Sequence, residues 1–175
     1  MKFTLRNKLA ASGGLIMIAG AGCAHIDTPK NGTSVRPEVI AFGSEIEEIR
    51  TRLEGECGGI SLREVDIPLP GAARKEQIDC EGFSYFGAPR KAEFVFGDGR
   101  LMLVWILTDR SDLDGMVDAF TAEFGAPTHV SDVVVAFVDD NAAIRYDTPE
   151  AGFYAPELSD QYRAFFDQMM QRPAK

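Results

Sequence analysis

Lys91-Ala92-Glu93-Phe94-Val95-Phe96-Gly97-Asp98-Gly99-Arg100-Leu101-Met102-Leu103-Val104-Trp105-Ile106-Leu107 spells out two strands and the turn between them. Lys91 to Phe96 is strand-like. Asp98-Gly99 is a two-residue hairpin turn, because the favoured turn needs positive φ at both central positions and Asp and Gly adopt it. The run from Leu101 to Leu107 is apolar on both faces, the pattern of a central strand covered on both sides. One layer of helices covers one face only. The second face therefore calls for the first helix, a second sheet or another protein chain.

Beyond this run, Ser111 is the expected N-cap of a helix, with Asp112 and Asp114 near the positive end of its dipole. Leu113, Met116, Val117, Phe120 and Phe124 form its apolar face, and Gly125 followed by Pro127 ends it. Upstream, Val39, Phe42, Ile46, Ile49 and Leu53 predict a helix from Glu38 to Glu56, stopped by Gly58 or Gly59. Strands are predicted over Gly59 to Ile67 and Ile78 to Phe86. Downstream, Val133 to Val138, a turn at Asp139-Asp140-Asn141, and Ala142 to Asp147 repeat the hairpin theme. A short strand at Gly152 to Tyr154 and a closing helix from Pro156 to Gln171 follow, with Leu158, Tyr162, Phe165, Phe166, Met169 and Met170 facing inward.

This order gives an α+β fold with a mainly antiparallel sheet and packed helices. Phe94-Val95-Phe96-Gly97-Asp98-Gly99-Arg100-Leu101 and Val135-Ala136-Phe137-Val138-Asp139-Asp140-Asn141-Ala142 echo one another. A true repeat would make two hairpin-plus-helix units; common hairpin grammar yields the same echo. The phrase Phe96 to Leu101, with a helix ending Phe124-Gly125-Ala126-Pro127, resembles small exported proteobacterial lipoprotein-like proteins of an uncharacterised family. Envelope lipoproteins of the outer-membrane assembly machinery and secreted β-lactamase inhibitor proteins are broadly similar in setting helices on an antiparallel sheet. The resemblance implies architecture and carries no functional residues.

The N-terminus supplies an address. Lys2, Arg6 and Lys8 form a positive region, Leu9 to Ala21 an apolar one, and Gly20-Ala21-Gly22-Cys23 a small-residue cleavage site, so residues 1–22 read as a signal peptide. Cleavage before Cys23 would leave its thiol carrying diacylglycerol, although Gly20 stands where such sites usually have an aliphatic residue. Ordinary signal peptidase cutting after Ala21 or Ala24 is the alternative. Residues 23–37 read as the anchor cysteine and a flexible tether spanning about 20 Å, and residues 38–175 as a single domain. Of three cysteines, Cys57 and Cys80 lie in that domain, and an oxidising compartment favours their disulfide; two buried thiols are the alternative.

The chain carries net charge −9, which becomes −12 once Lys2, Arg6 and Lys8 leave with the signal. Such a surface repels nucleic acid and favours solubility or a cationic partner. Membrane contact then comes through the lipid, and Ala24 after the cysteine points to the periplasmic face of the outer membrane, with the soluble periplasm as alternative.

Catalytic and cofactor motifs are missing from the sequence. His129 is the one histidine of the domain, which disfavours a histidine-built metal site. His129, Ser131 and Asp132 are sequence neighbours rather than a triad and read as loop polarity. Gly82 to Gly87 is one residue too long for a nucleophile elbow. Asp109, Asp112 and Asp114 fail the calcium-loop spacing and read as helix capping. Asp139-Asp140 reads as a solvated turn, and Trp105, Phe83, Tyr85 and Phe86 as core. Tyr154 and Pro149-Glu150 are candidate surface features. The expectation is a noncatalytic protein-interaction lipoprotein without cofactor, binding an unknown envelope protein; the alternatives are a soluble periplasmic inhibitor or binding protein, and a hydrolase with dispersed catalytic residues.

Overall fold

The computed structural model describes residues 35–170. The segment predicted as a signal peptide, Cys23 and the predicted tether up to residue 34 lie outside the described residues. Within them, eight strands form one antiparallel sheet: β1 (Gly59–Glu64), β2 (Lys75–Tyr85), β3 (Ala88–Gly97), β4 (Arg100–Leu107), β5 (His129–Val130), β6 (Val134–Phe137), β7 (Ala142–Arg145) and β8 (Glu150–Tyr154). Their spatial order is β1-β2-β3-β4-β8-β7-β6-β5. Three helices, α1 (Ile46–Leu53), α2 (Leu113–Phe124) and α3 (Ser159–Met170), complete the α+β fold.

The order describes two four-stranded meanders, each preceded by a helix, joined where β4 pairs with β8. The sequence echo matched the third hairpin of the first meander (β3-β4) to the second hairpin of the second (β6-β7), which are not equivalent positions. The repeating unit of topology is a helix plus four strands rather than a hairpin plus helix.

Asp98 and Gly99 have φ of 49° and 82°, the geometry the β3-β4 turn was predicted to need. Around β4 the two sheet faces are closed by different elements. Leu101, Val104 and Ile106 join Ile49 and Leu53 of α1 and Met116 and Phe120 of α2 in one buried cluster. Leu103 joins Leu69 of the β1-β2 connection and Leu158, Phe166 and Met169 of the closing segment in the other. The second face is thus covered by α3 and a connecting loop, and neither the first helix nor a second chain is required there.

The first helix is shorter than its periodicity predicts. Gly43 has φ of 82°, and the chain before α1 pairs with β4: Gly43 N–H donates to the Leu101 carbonyl and Leu101 N–H to the Ser44 carbonyl. These backbone partners and the left-handed glycine end any helix arriving from Glu38. In the closing segment, Leu158 just before α3 and Tyr162, Phe166 and Met169 within it face the core as predicted, whereas Phe165 and Met170 are exposed.

Candidate functional site

On the second face, where β4 meets β8, four elements enclose a cleft of about 270 Å³. The β1-β2 connection supplies Ile67 and Pro68, β4 supplies Leu103 and Trp105, β7 supplies Arg145, and α3 supplies Tyr162 and Phe165. Its floor follows from register. Trp105 sits directly opposite Gly152, which has no Cβ, so the indole lies against the β8 backbone. Tyr162 stands 6.4 Å from the Trp105 ring and stacks on Tyr154 at 4.3 Å. Phe165, 38% exposed, forms the rim. A larger hollow of about 510 Å³ lies between residues 37–39, α1 and the end of β2, but its Arg52 is already bonded to Glu48 at 2.6 Å and its Phe83 and Tyr85 belong to the core. The cleft is the better candidate because its apolar walls converge from separate elements and stay partly open.

A charged row adjoins it. Arg145 holds Asp147 through Nε and Nη2 at 3.1 and 3.0 Å and Glu150 through Nη1 at 2.7 Å, with its guanidinium 5.8 Å from the Trp105 ring centre. Further along, Lys91 bridges Glu93 at 2.9 Å and Asp79 at 3.2 Å, and Asp79 also accepts from Arg63 and Gln77 at 2.7 Å each. Burial alone would raise the Asp79 carboxyl; Arg63, Gln77 and Lys91 outweigh it and hold it low. At Glu150 burial wins. Arg145 pulls its carboxyl down, but that one cation is shared with Asp147, and Glu93 and Asp147 repel, so Glu150 is pushed up from 4.5 to about 7.

Between roughly pH 5 and 7 the folded chain binds more protons at Glu150 than the unfolded chain, so stability present near pH 5 is lost as pH rises through about 7. Glu150→Gln should match the wild type near pH 5 and exceed it near pH 8. Their difference should change by up to about 1.4 kcal/mol per pH unit inside the window. Urea midpoints of both proteins across pH would show it, and parallel curves would refute it.

Cys57 and Cys80 form the disulfide, with Cα atoms 5.5 Å apart, tying the start of β1 to β2. Other predicted positions land differently. His129 is not loop polarity: it lies in β5, with Nε2 3.0 Å from Asp167 of α3 and Nδ1 2.9 Å from the Thr128 hydroxyl. That hydroxyl donates to the Ala136 carbonyl and accepts from Val138 N–H, and the Ser131 hydroxyl accepts from Val133 and Val134 N–H. His129 fastens a helix to a sheet edge, beside hydroxyls bound to backbone.

The aspartates before α2 make no side-chain cap hydrogen bond. Asp109 and Asp112 instead hold the buried guanidinium of Arg90, and Asp114 accepts the Tyr146 hydroxyl at 3.1 Å. Tyr154 and Glu150, candidate surface features by sequence, are buried: Tyr162 of α3 stacks on Tyr154, and Arg145 of β7 is bonded to Glu150. Phe83 and Tyr85 are core as predicted, whereas Trp105 is the cleft floor. Among the described residues no group of three or more His, Cys, Asp or Glu is placed to hold a metal ion, and no helix is long and apolar enough to cross a membrane. The cleft was missed in the sequence because it is assembled from residues 67, 105, 145 and 162; only the placing of Phe165 among inward-facing residues, one too many for one helix face, hinted at it. No protein-family model, curated protein or solved structure matches this chain.

Proposed function

We propose that this chain is a noncatalytic, exported binding protein that engages a polypeptide partner through the Trp105 cleft. The observation that carries this reading is the cleft itself: aromatic and aliphatic walls, a half-open Phe165 rim, and neighbouring charges already paired with one another. The doubly apolar β4 no longer argues for a partner, since α3 closes it. The acidic surface still does, favouring a cationic one. Export is supported by the disulfide and by the charged, apolar, small-residue order of residues 1–22, and a lipid on Cys23 would place the domain at a membrane.

Two measurements test it. A photo-crosslinking phenylalanine analogue at position 165 should capture one discrete partner in the native envelope, and the same analogue at exposed Arg50 should not. Trp105→Ala should reduce that capture at least tenfold. Equal capture at both positions, or none, would overturn the reading. Intact mass of membrane-extracted protein should show diacylglycerol on Cys23. An N-terminus at Gly22 or His25 would exclude the anchor and favour the soluble alternative, to which Gly20 already lends weight.

A further inference from the structure

The two edges of the sheet are treated differently. At one end β5 is two residues long and is fastened to α3 through His129 and Asp167. At the other, β1 is six residues long and exposed except for half-buried Ile60. It contains no proline, and its one cation, Arg63, is folded back onto Asp79 at 2.7 Å instead of standing guard at the edge. Long edges of this kind are normally blunted by prolines, bulges or outward lysines. The Cys57–Cys80 disulfide pins the start of β1 to the sheet, so the edge is held extended.

Register shows which backbone groups are free. Val65 N–H donates to the Lys75 carbonyl, and β1 pairs with β2 in the same frame, Arg63 with Gln77 and Ser61 with Asp79. Odd residues of β1 therefore exchange hydrogen bonds with β2, and the N–H and C=O groups of Ile60, Leu62 and Glu64 point outward. Their side chains share the face occupied by α1, where Leu62, 44% exposed, borders a hollow of about 410 Å³. That hollow is lined by the carboxylates of Glu45, Glu47, Glu76 and Asp98 against the guanidiniums of Arg74 and Arg100. Arg74 is paired with Glu76 and Arg100 with Glu45, each at 3.0 Å, while Glu47 reaches Arg50 only at 3.9 Å. Backbone N–H groups of Arg74 and Ala73 hold the Asp98 carboxyl low, so it stays ionised. The hollow keeps surplus negative charge.

We infer that β1 is a docking strand: it takes an extended segment of a basic polypeptide antiparallel to itself, main chain on Ile60, Leu62 and Glu64, alternate lysine or arginine side chains over the acidic hollow. Strand addition of this kind draws affinity from main-chain hydrogen bonds and specificity from alternate side chains. The inference shares with the proposed function the premise of a polypeptide partner, but uses a different surface.

The test uses the mature protein and a blocked octapeptide alternating lysine with valine. Binding should slow amide exchange of Ile60, Leu62 and Glu64 at least tenfold. A peptide with glutamate in place of lysine, and one N-methylated at alternate amides, should each bind at least tenfold more weakly. Leu62→Pro removes one outward N–H, a change tolerated where that group faces solvent, and should weaken binding at least tenfold, whereas Leu62→Ala should keep it within about threefold. Equal binding of the N-methylated peptide, protection at Trp105 instead of β1, or a peptide-free dimer paired through β1 would each overturn the inference. The N-methylated peptide leaves the protein unchanged, so the outcome is readable even if Leu62→Pro unfolds. None of these results bears on crosslinking at Phe165.

Discussion

Gly152→Ala should destabilise the protein by about 3 kcal/mol, the upper part of the range for overpacking a filled site. A Cβ at this position would fall 1.9 Å from Cζ3, 2.4 Å from Cε3 and 2.8 Å from Cη2 of Trp105, all far inside van der Waals contact. The obstacle is a rigid ring, hemmed by Tyr162 beside it and Arg145 over it, so its one way out is the open cleft, while β8 is clamped between β4 and β7. Either the indole swings out into the cleft or the β4-β8 pairing opens at the join of the two meanders. Both would abolish the binding proposed for the cleft. Trp105→Leu should lose part of its own packing, yet the double variant with Gly152→Ala should recover about 2 kcal/mol relative to additivity, as expected for residues in direct contact. Urea unfolding of the four proteins measures this cycle. Trp105 is the only tryptophan, so its emission reports the displacement directly in the single variant. Additive effects would show that the indole does not rest on Gly152.

The elements legible in the sequence are those whose cause is local. The β3-β4 turn follows from Asp98-Gly99, and α2 ends at Gly125, with φ of 86°, as its composition required. The apolar runs start β2, β3 and β8 a few residues late, because pairing extends a strand past its apolar run: Lys75, Glu76 and Gln77 lie in β2 by register with Gly97, Phe96 and Val95. The β2-β3 turn at Phe86-Gly87, with φ of 48° and 72°, was hidden because Phe is rarely found in the left-handed region. The overlong first helix is the clearest failure. Its apolar spacing was real, but Val39 and Phe42 pack on the same cluster from an irregular segment that hydrogen-bonds to β4.

The candidate site was less legible, for a different reason. Arg90 meets Asp109 and Asp112, His129 meets Asp167, and Trp105 meets Gly152 only once the sheet order is known. An aspartate before a helix reads as a cap from sequence, yet here a buried arginine two strands back outcompetes the helix amides for it. Likewise Glu150 follows Pro149 in what reads as a polar turn, and only its place in β8, between Leu107 of β4 and Arg145 of β7, turns it into a buried acid.

Removing the Cys57–Cys80 bridge should have the other large effect, a loss of about 3.5 kcal/mol in the chain-entropy account for a loop with sequence separation 23. Cys57→Ala with Cys80→Ala is the cleaner variant, since the Cys80 side chain is fully buried beside Ile78 and Phe94 and a serine hydroxyl there would lack a partner. Without the bridge the unfolded chain regains its freedom, and the start of β1 is held by backbone pairing to β2 alone. The variant, and the wild type after reduction, should therefore show a lower urea midpoint and faster amide exchange at Ser61 and Arg63 than at the β3-β4 centre. Unchanged midpoints would show that β2 holds β1 unaided. Against a total stability of about 5 to 15 kcal/mol for a domain of this size, the bridge supplies at least about a fifth of the margin. A reducing compartment would remove that share, and with it the extended edge on which strand addition depends. The same covalent bond thus links compartment, stability and the proposed docking strand: octapeptide affinity should fall on reduction, while crosslinking at Phe165, on the far side of β4, should not.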